Sequence, residues 1–228
     1  GYGVQGSDKN ASPFTERLAE LGIPVAIGHG AENLGEADLV IYSAAIRPDN
    51  VERIAARKRG IPEIERSVAL GQLSEGYGRV ACIAGCHGKT TITSMLALIA
   101  QSGGMDATVH VGGFVDFLKG GVRLGSHELF ITEACEYVES FLTLRPTVAL
   151  VNNIDNDHLD YYGDMEHIEE AFRKFVALLP GDGLLLGCAD DPRVAELLAR
   201  HAGGKLSYGI KDADYTPGNV VFDDGGCA

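Results

Sequence analysis

Val80-Ala-Cys-Ile-Ala-Gly-Cys-His-Gly-Lys-Thr-Thr91 decides how this chain is read. An apolar run over 80–84 ends in a turn carrying Gly85 and Gly88. Lys89, Thr90 and Thr91 follow, and then a helical pattern places Ile92, Met95, Leu96 and Ile99 on one face. Strand, glycine turn and helix start in series make a phosphate cradle. Glycines leave backbone N–H groups open to a polyphosphate, and a helix start adds oriented donors and a partial positive charge. In such a cradle Lys89 lies on the outer phosphates and the Thr90 hydroxyl holds Mg²⁺. The candidate nucleotide-binding residues are Gly85, Cys86, His87, Gly88, Lys89, Thr90 and Thr91.

The loop departs from the general P-loop pattern. That pattern puts its first glycine six residues before the lysine, where this chain has Ile83. The loop instead reads Gly-x-x-Gly-Lys-Thr-Thr, a shorter cradle. Gly1-x-Gly3-x-x-Gly6 formally matches a dinucleotide fingerprint. No strand precedes it, and the residues after it read as strand and turn instead of a helix start, so that match is set aside.

A chain of 228 residues is long enough for one large or two modest domains. Its 45% hydrophobic and 7% aromatic content suits an α/β globular protein. The net charge of −13 argues against a broad nucleic-acid or anionic-membrane surface. No apolar run approaches the length of a membrane span, and no signal peptide is visible. Cys82, Cys86, Cys135, Cys188 and Cys227 are odd in number and lack metal-ligand pairing, which fits a reduced, cytoplasmic setting. The composition leaves oligomeric state open. The ends read as those of a fragment: Gly1 begins without an initiator methionine, and 219–222 reads as a strand still lacking a partner.

Residues 1–79 read as a first α/β unit, truncated at its start and Rossmann-like. Asn10 or Ser12 caps a helix with Phe14, Leu18 and Leu21 inward. Strands follow at 24–27 and 37–42, the second apolar enough for a buried parallel sheet. Val51, Ile54 and Ala55 form a further helical face that stops at Gly60. Ligands of such sheets bind at the C-terminal strand ends, where Ser7-Asp8 and Ser43-Ala44-Ala45-Ile46 stand. Residues 80–228 read as a second unit, a P-loop-type central domain with a mostly parallel sheet. Its later strands are expected at 108–111, 128–132, 147–152, 183–186 and 205–210. Asp164 caps a helix facing inward with Met165, Ile168, Phe172, Phe175 and Leu179, and Asp191-Pro192 starts another with Val194, Leu197 and Leu198.

Two further strand ends carry chemistry. Leu129-Phe-Ile-Thr-Glu133 delivers a carboxylate to the edge of the phosphate loop, where it could meet Mg²⁺. Val148-Ala-Leu-Val-Asn152 runs on to Asp157, His158 and Asp160, and His158 suits a second divalent ion. Each also reads as a solvated polar loop. Cys86 and Cys135 read as small buried residues, since no nucleophile-and-base pattern surrounds them. Glu166, Glu169, Glu170, Arg173 and Lys174 read as a solvated helix face.

Together, Gly85-Cys-His-Gly-Lys-Thr-Thr91, Glu133-Ala-Cys-Glu-Tyr-Val-Glu-Ser-Phe141 and Asn153-Ile-Asp-Asn-Asp-His-Leu-Asp160 resemble the Mur ligase family, over essentially the whole chain. Gly6-Ser-Asp8 and Ser43-Ala-Ala-Ile46 resemble pieces of that family's UDP-binding domain. Cys86 and Ile92 replace frequent threonines, and Cys135 a frequent aspartate, outside the positions of Lys89, Glu133 and His158. His87 is a discriminator, because several members carry Asn there. The resemblance implies an ATP- and Mg²⁺-dependent amide ligase of peptidoglycan synthesis. It would join L-alanine to UDP-N-acetylmuramate through an acyl phosphate. It implies catalytic roles for Lys89, Glu133 and His158, metal binding by Thr90, Glu133 and His158, and substrate binding by Asp8, Ser43 and Ala44. It also implies a glycine-rich turn before Gly1 and a C-terminal domain beyond this chain, so that the chain alone would be weakly active or inactive. A peptide-recycling Mur ligase, a P-loop kinase and a non-catalytic nucleotide-binding module remain alternatives.

Overall fold

The computed structural model describes residues 2–218 and the backbone of residues 222–223 and 226–227. The first part of the chain runs β1 (Gly6–Asp8), α1 (Pro13–Glu20), β2 (Val25–Ile27), β3 (Val40–Tyr42), α2 (Val51–Arg59), β4 (Glu63–Glu65) and α3 (Arg66–Ser74). β1 pairs with β2 and β3 with β4, both parallel. The strands form two separate two-stranded sheets. Each contributes only three residues, and a deep cleft opens between β1 and β3.

Ser12, not Asn10, caps α1, exchanging hydrogen bonds with Thr15 in a capping box. The inward face expected of α1 is not observed: Phe14 and Leu21 are exposed, and Phe14 meets the ring of Phe114 edge-on. β3 is parallel but not buried, since Ile41 is 55% exposed. In α2 the buried positions are Arg53 and Ala56, and Val51 is exposed. β4 and α3 are not expected from sequence. Their polar Glu63-Ile-Glu65 and glycine-interrupted Arg66–Ser74 stretches carry no clear periodicity.

The second part runs β5 (Arg79–Ala84), α4 (Lys89–Ser102), β6 (Thr108–Val115), β7 (Gly120–Arg123), β8 (Leu129–Glu133), β9 (Val148–Val151), α5 (Leu159–Tyr162), α6 (Met165–Val176), β10 (Leu184–Cys188), α7 (Pro192–Arg200) and β11 (Gly204–Tyr208). These strands form one sheet in the order β11-β10-β9-β5-β8-β6-β7, parallel throughout except between β6 and β7. β5 lies in the middle, with β8 on one side and β9 on the other. The chain therefore leaves β5 at a topological switch point, where α/β sheets open a crevice beyond their C-terminal strand ends. The strand expected at 219–222 lies outside the described residues up to its last position. Phe222–Asp223 (β12) pairs antiparallel with Gly226–Cys227 (β13).

β5 is buried on both faces because its alternate residues feed two cores. Val80, Cys82 and Ala84 join Phe130, Val151, Leu185 and the inner faces of α6 and α7. Ala81 and Ile83 join Val109, Val111, Ile131 and α4. α6 presents the expected face, with Ile168, Phe172 and Phe175 buried. Phe175 stacks on Phe141 at 4.7 Å between ring centroids. α4 presents half of its expected face: Ile92 and Leu96 pack half-buried against this core beside the buried Thr93, Ala97 and Ala100, while Met95 is 57% and Ile99 63% exposed. Small side chains let the helix lie close to the sheet, so the stripe of smallest residues is the most deeply buried and the larger one packs only at its edge.

Asp191 caps α7 through Oδ1, which accepts from Arg193 and Val194 N–H at 2.9 and 3.1 Å. Its Oδ2 accepts from Ile154 N–H at 3.1 Å, so one carboxylate ties α7 to the loop after β9. Asp191→Ala is expected to lower stability by about 1–2 kcal/mol, measured by urea unfolding. An unchanged urea midpoint would show that water replaces this cap without loss.

Candidate functional site

The loop after β5 is held by the strand beside it. Asn152 N–H donates to Ala84 O at 3.0 Å, and Cys86 N–H to Asn153 O at 3.3 Å. His87 N–H donates to Asn153 Oδ1 at 2.8 Å, and His87 O accepts from Nδ2 of both Asn152 (3.1 Å) and Asn153 (3.0 Å). Tyr208 OH donates to Asn152 Oδ1 at 2.6 Å, extending the brace to β11. Gly85 has φ +137° and Gly88 φ +84°, conformations that strain an L side chain. Gly88 precedes α4 without any side-chain cap on the helix. The loop therefore presents an open backbone at a helix start, the chemistry an anion requires. Thr90 and Thr91 are exposed on that first turn.

Lys89 folds back over the loop. Its Nζ donates to Gly85 O at 2.7 Å, Cys86 O at 3.2 Å and Glu136 Oε1 at 3.0 Å, using all three ammonium donors. Glu136 Oε2 lies 2.9 Å from the same nitrogen, outside hydrogen-bond angle. The Lys89 side chain is 15% exposed and that of Glu136 only 1%. Glu136 is not among the site residues expected from sequence. Its signal there was a second acid three positions after Glu133. Only the turn at Val138 and Glu139, both with left-handed φ (54° and 53°), sends the chain back so that Glu136 is enclosed. Tyr162 OH donates to Glu136 O and closes the enclosure.

Glu133 ends β8 in register with Ile83, one residue before the end of β5, so its carboxylate stands on the loop's edge of the sheet. Its Oε1 is buried without a hydrogen-bond partner, and Oε2 lies so near Gly112 that a Cβ there would come within 2.9 Å. His158, at φ 56°, lies with its Nε2 3.6 Å from Glu136 Oε1 and 3.8 Å from Asp157 Oδ2. Its ring packs on Tyr137 at 4.7 Å. Donor atoms of Glu136, Asp157 and His158 lie within 4.8 Å of one another, an oxygen-rich set that suits a divalent cation. Glu133 is outside that set, so the structure gathers His158 with Glu136 and Asp157 rather than with Glu133. The unpartnered Glu133 oxygen and the oxygen-rich cluster both fit Mg²⁺, a hard cation.

His87 Nε2 lies 3.3 Å from Asp155 Oδ2 at the exposed rim of the loop. The Asn156 backbone N–H, followed by His87, holds the Asp155 carboxyl below its usual range. Burial pushes the Cys86 thiol up to about 11 and Cys82 up to about 12. Cys135 is raised as well, chiefly by burial. None of these three thiols is poised as a thiolate nucleophile at neutral pH.

A second concavity of about 360 Å³ lies between the two small sheets, lined among others by Ser7, Asp8, His29, Tyr42, Ser43 and Glu52. Asp8 and Ser43 thus share one cleft, whereas Ala44 is exposed and outside its lining. α3 links this part to the central sheet: a Cβ on Gly71 would strike Thr143 O at 2.1 Å, and Thr143 Oγ1 donates to Ser67 O at 2.7 Å.

A glycine loop at the switch point of a parallel sheet, with lysine opening the next helix, defines a P-loop-type α/β protein. The chain belongs to the Mur ligase family. Residues 83–227 match the Mur ligase middle domain, and residues 1–77 match the domain described as Mur ligase family, catalytic domain. The chain is 45% identical over 228 residues to the UDP-N-acetylmuramate--L-alanine ligase of Clostridium perfringens, covering 100% of this chain and 50% of the relative. Its counterpart from Acetivibrio thermocellus is 43% identical, covering 100% and 49%. The crystal structure of UDP-N-acetylmuramate-alanine ligase from Thermotoga maritima aligns with a TM-score of 0.83 at 30% identity, over 93% of this chain and 48% of that one. A UDP-N-acetylmuramate:L-alanyl-gamma-D-glutamyl-meso-diaminopimelate ligase from Neisseria meningitides aligns at 0.80 with 26% identity, over 90% and 69%. The chain spans about half the length of the curated relatives it matches. Among the described residues no helix is long and apolar enough to cross a membrane.

Proposed function

We propose that this chain supplies the nucleotide-sugar and ATP sites of a ligase that joins L-alanine to the carboxylate of UDP-N-acetylmuramate in peptidoglycan precursor synthesis. The observation that carries this reading is 45% identity across all 228 residues to an enzyme of that name. The two family matches, ending at residue 77 and resuming at 83, support a division at residue 79 into a UDP-sugar-binding domain and a central ATP-binding domain.

A carboxylate is a poor acyl donor, because its leaving group would be an oxide. In the proposed reaction a muramyl carboxylate oxygen attacks the γ-phosphorus of ATP, ADP leaves, and an acyl phosphate forms. The amine of L-alanine then attacks the acyl carbon and phosphate leaves. Bound Mg²⁺ would neutralise charge on the transferring phosphoryl group. Thr90, Glu133 and the Glu136–Asp157–His158 cluster are the residues to hold such cations. Lys89 exchanges one of its three acceptors for a phosphate oxygen. The first-turn N–H groups of α4 donate to the same phosphates. Asp8 and Ser43 hold the nucleotide sugar in their shared cleft.

The test is phosphate release by the full-length protein, with and without UDP-N-acetylmuramate and each amino acid. Release that depends on both UDP-N-acetylmuramate and L-alanine is expected. Release driven instead by the tripeptide L-alanyl-γ-D-glutamyl-meso-diaminopimelate would favour the peptide-ligase reading that the Neisseria structure suggests. ATP hydrolysis indifferent to every acceptor would discard both.

A further inference from the structure

The cleft between β1 and β3 contains a carboxylate with no role in the proposed reaction. Glu52 is the second residue of α2, whose N-cap Asn50 accepts from the N–H groups of Glu52 and Arg53 at 2.9 and 3.3 Å. Its side chain is 14% exposed at the cleft wall. Oε1 accepts from Asn33 Nδ2 at 2.7 Å and Gly30 N–H at 3.2 Å. Oε2 accepts from Ser7 Oγ at 2.6 Å and lies 3.6 Å from His29 Nδ1. Three hydrogen bonds from the protein thus engage both oxygens of this carboxylate. Burial alone would raise the Glu52 carboxyl, but the bonds from Ser7, Asn33 and Gly30 outweigh it and hold it below the usual range. Glu52 is thus ionised and held through both oxygens by the protein itself.

What Glu52 holds is the frame around Asp8. Ser7 is Asp8's neighbour on β1. Asn33 Nδ2 also reaches Gly28 O at 3.0 Å, and Gly28 N–H donates to Asp8 O at 2.7 Å. The adjacent Arg53 grips the opposite wall. Its Nε donates to Glu63 Oε1 at 2.7 Å and its Nη1 to Ile46 O at 2.7 Å, and its guanidinium lies 3.5 Å from the centroid of the Tyr42 ring. Two consecutive residues of one helix thus tie down both walls: the end of β1 with loop 28–33, and the loop 43–46 that carries Ser43.

We infer that Glu52 is the positioning residue of the nucleotide-sugar cleft, presetting Asp8 and its wall through Ser7, Gly30 and Asn33. This rests on the reading that the cleft takes UDP-N-acetylmuramate. The test is Glu52→Gln in the full-length protein, with steady-state kinetics and calorimetric titration of UDP-N-acetylmuramate. The amide keeps the shape but turns an NH₂ toward groups that themselves donate. KM and Kd for UDP-N-acetylmuramate should rise by about tenfold or more, the scale of a charged hydrogen bond. kcat at saturation and KM for ATP should stay within about twofold, the signature of lost uniform binding. Ser7→Ala, which removes one arm, should move the same constant less and serves if Glu52→Gln does not fold. A folded Glu52→Gln protein with unchanged KM for the nucleotide sugar overturns the inference. So does a parallel loss of kcat and of affinity for both substrates, because that is general damage. If Asp8→Ala and Ser43→Ala also leave that KM unmoved, it is the cleft's assignment that falls.

Discussion

Lys89→Ala in the full-length protein is expected to lower ATP-driven turnover by about 10²–10³-fold or more, the scale of losing one preorganised charge in a closed site. A second effect follows from the structure. Glu136 is 1% exposed, and Lys89 is the cation paired with it at 2.9–3.0 Å. Removing the ammonium strands a buried carboxylate, which costs about 3–5 kcal/mol. The two effects separate in the double variant Lys89→Ala/Glu136→Gln. Neutralising the stranded acid should restore most of the stability in urea unfolding and none of the turnover. Near-normal turnover in Lys89→Ala would remove the basis for the phosphate-loop assignment. Equal stability of Lys89→Ala and the parent would mean that the pair carries no net stabilisation.

Gly85→Ala is the second large effect expected. At φ +137° an alanine is strained, at about 1–3 kcal/mol. The added Cβ would also stand 3.1 Å from Asn153 N and 3.2 Å from Asn152 Cβ, the residues that brace the loop. The loop must shift to relieve the contact, which moves its N–H groups off a bound phosphate. ATP affinity of the full-length protein, by calorimetry, should fall by about tenfold or more, equivalent to about 1.4 kcal/mol. The UDP-N-acetylmuramate affinity should hold, because the cleft between β1 and β3 is built from other elements. Unchanged ATP affinity would show that the nucleotide does not depend on this turn.

Much of the architecture was legible in the residues. β5, β8, β9, β10, α6 and α7 follow from apolar runs, a clean helical period, and the Asp164 and Asp191 caps. These elements have one way to bury their apolar atoms, so local pattern and final packing agree. α4 was less legible. It carries two adjacent apolar stripes, and the period does not say which one packs. The first part was least legible, because its strands are three residues long and only partly buried.

The sequence by itself determined the strand–loop–helix unit at 80–102, the edge on which Glu133 and His158 arrive, and the family resemblance. Those follow from local order along the chain, where a glycine turn, its lysine and its helix are covalent neighbours. Tertiary structure alone decided that Lys89 pairs with Glu136 and that His158 gathers with Glu136 and Asp157 rather than Glu133. It alone decided, too, that Asn152 and Asn153 brace the loop, and that Glu52 ties together two separate segments, the end of β1 and the loop 28–33. Contacts between residues 19 to 66 positions apart leave no periodic trace. They arise because a buried carboxylate or amide must find partners wherever the folded chain brings donors.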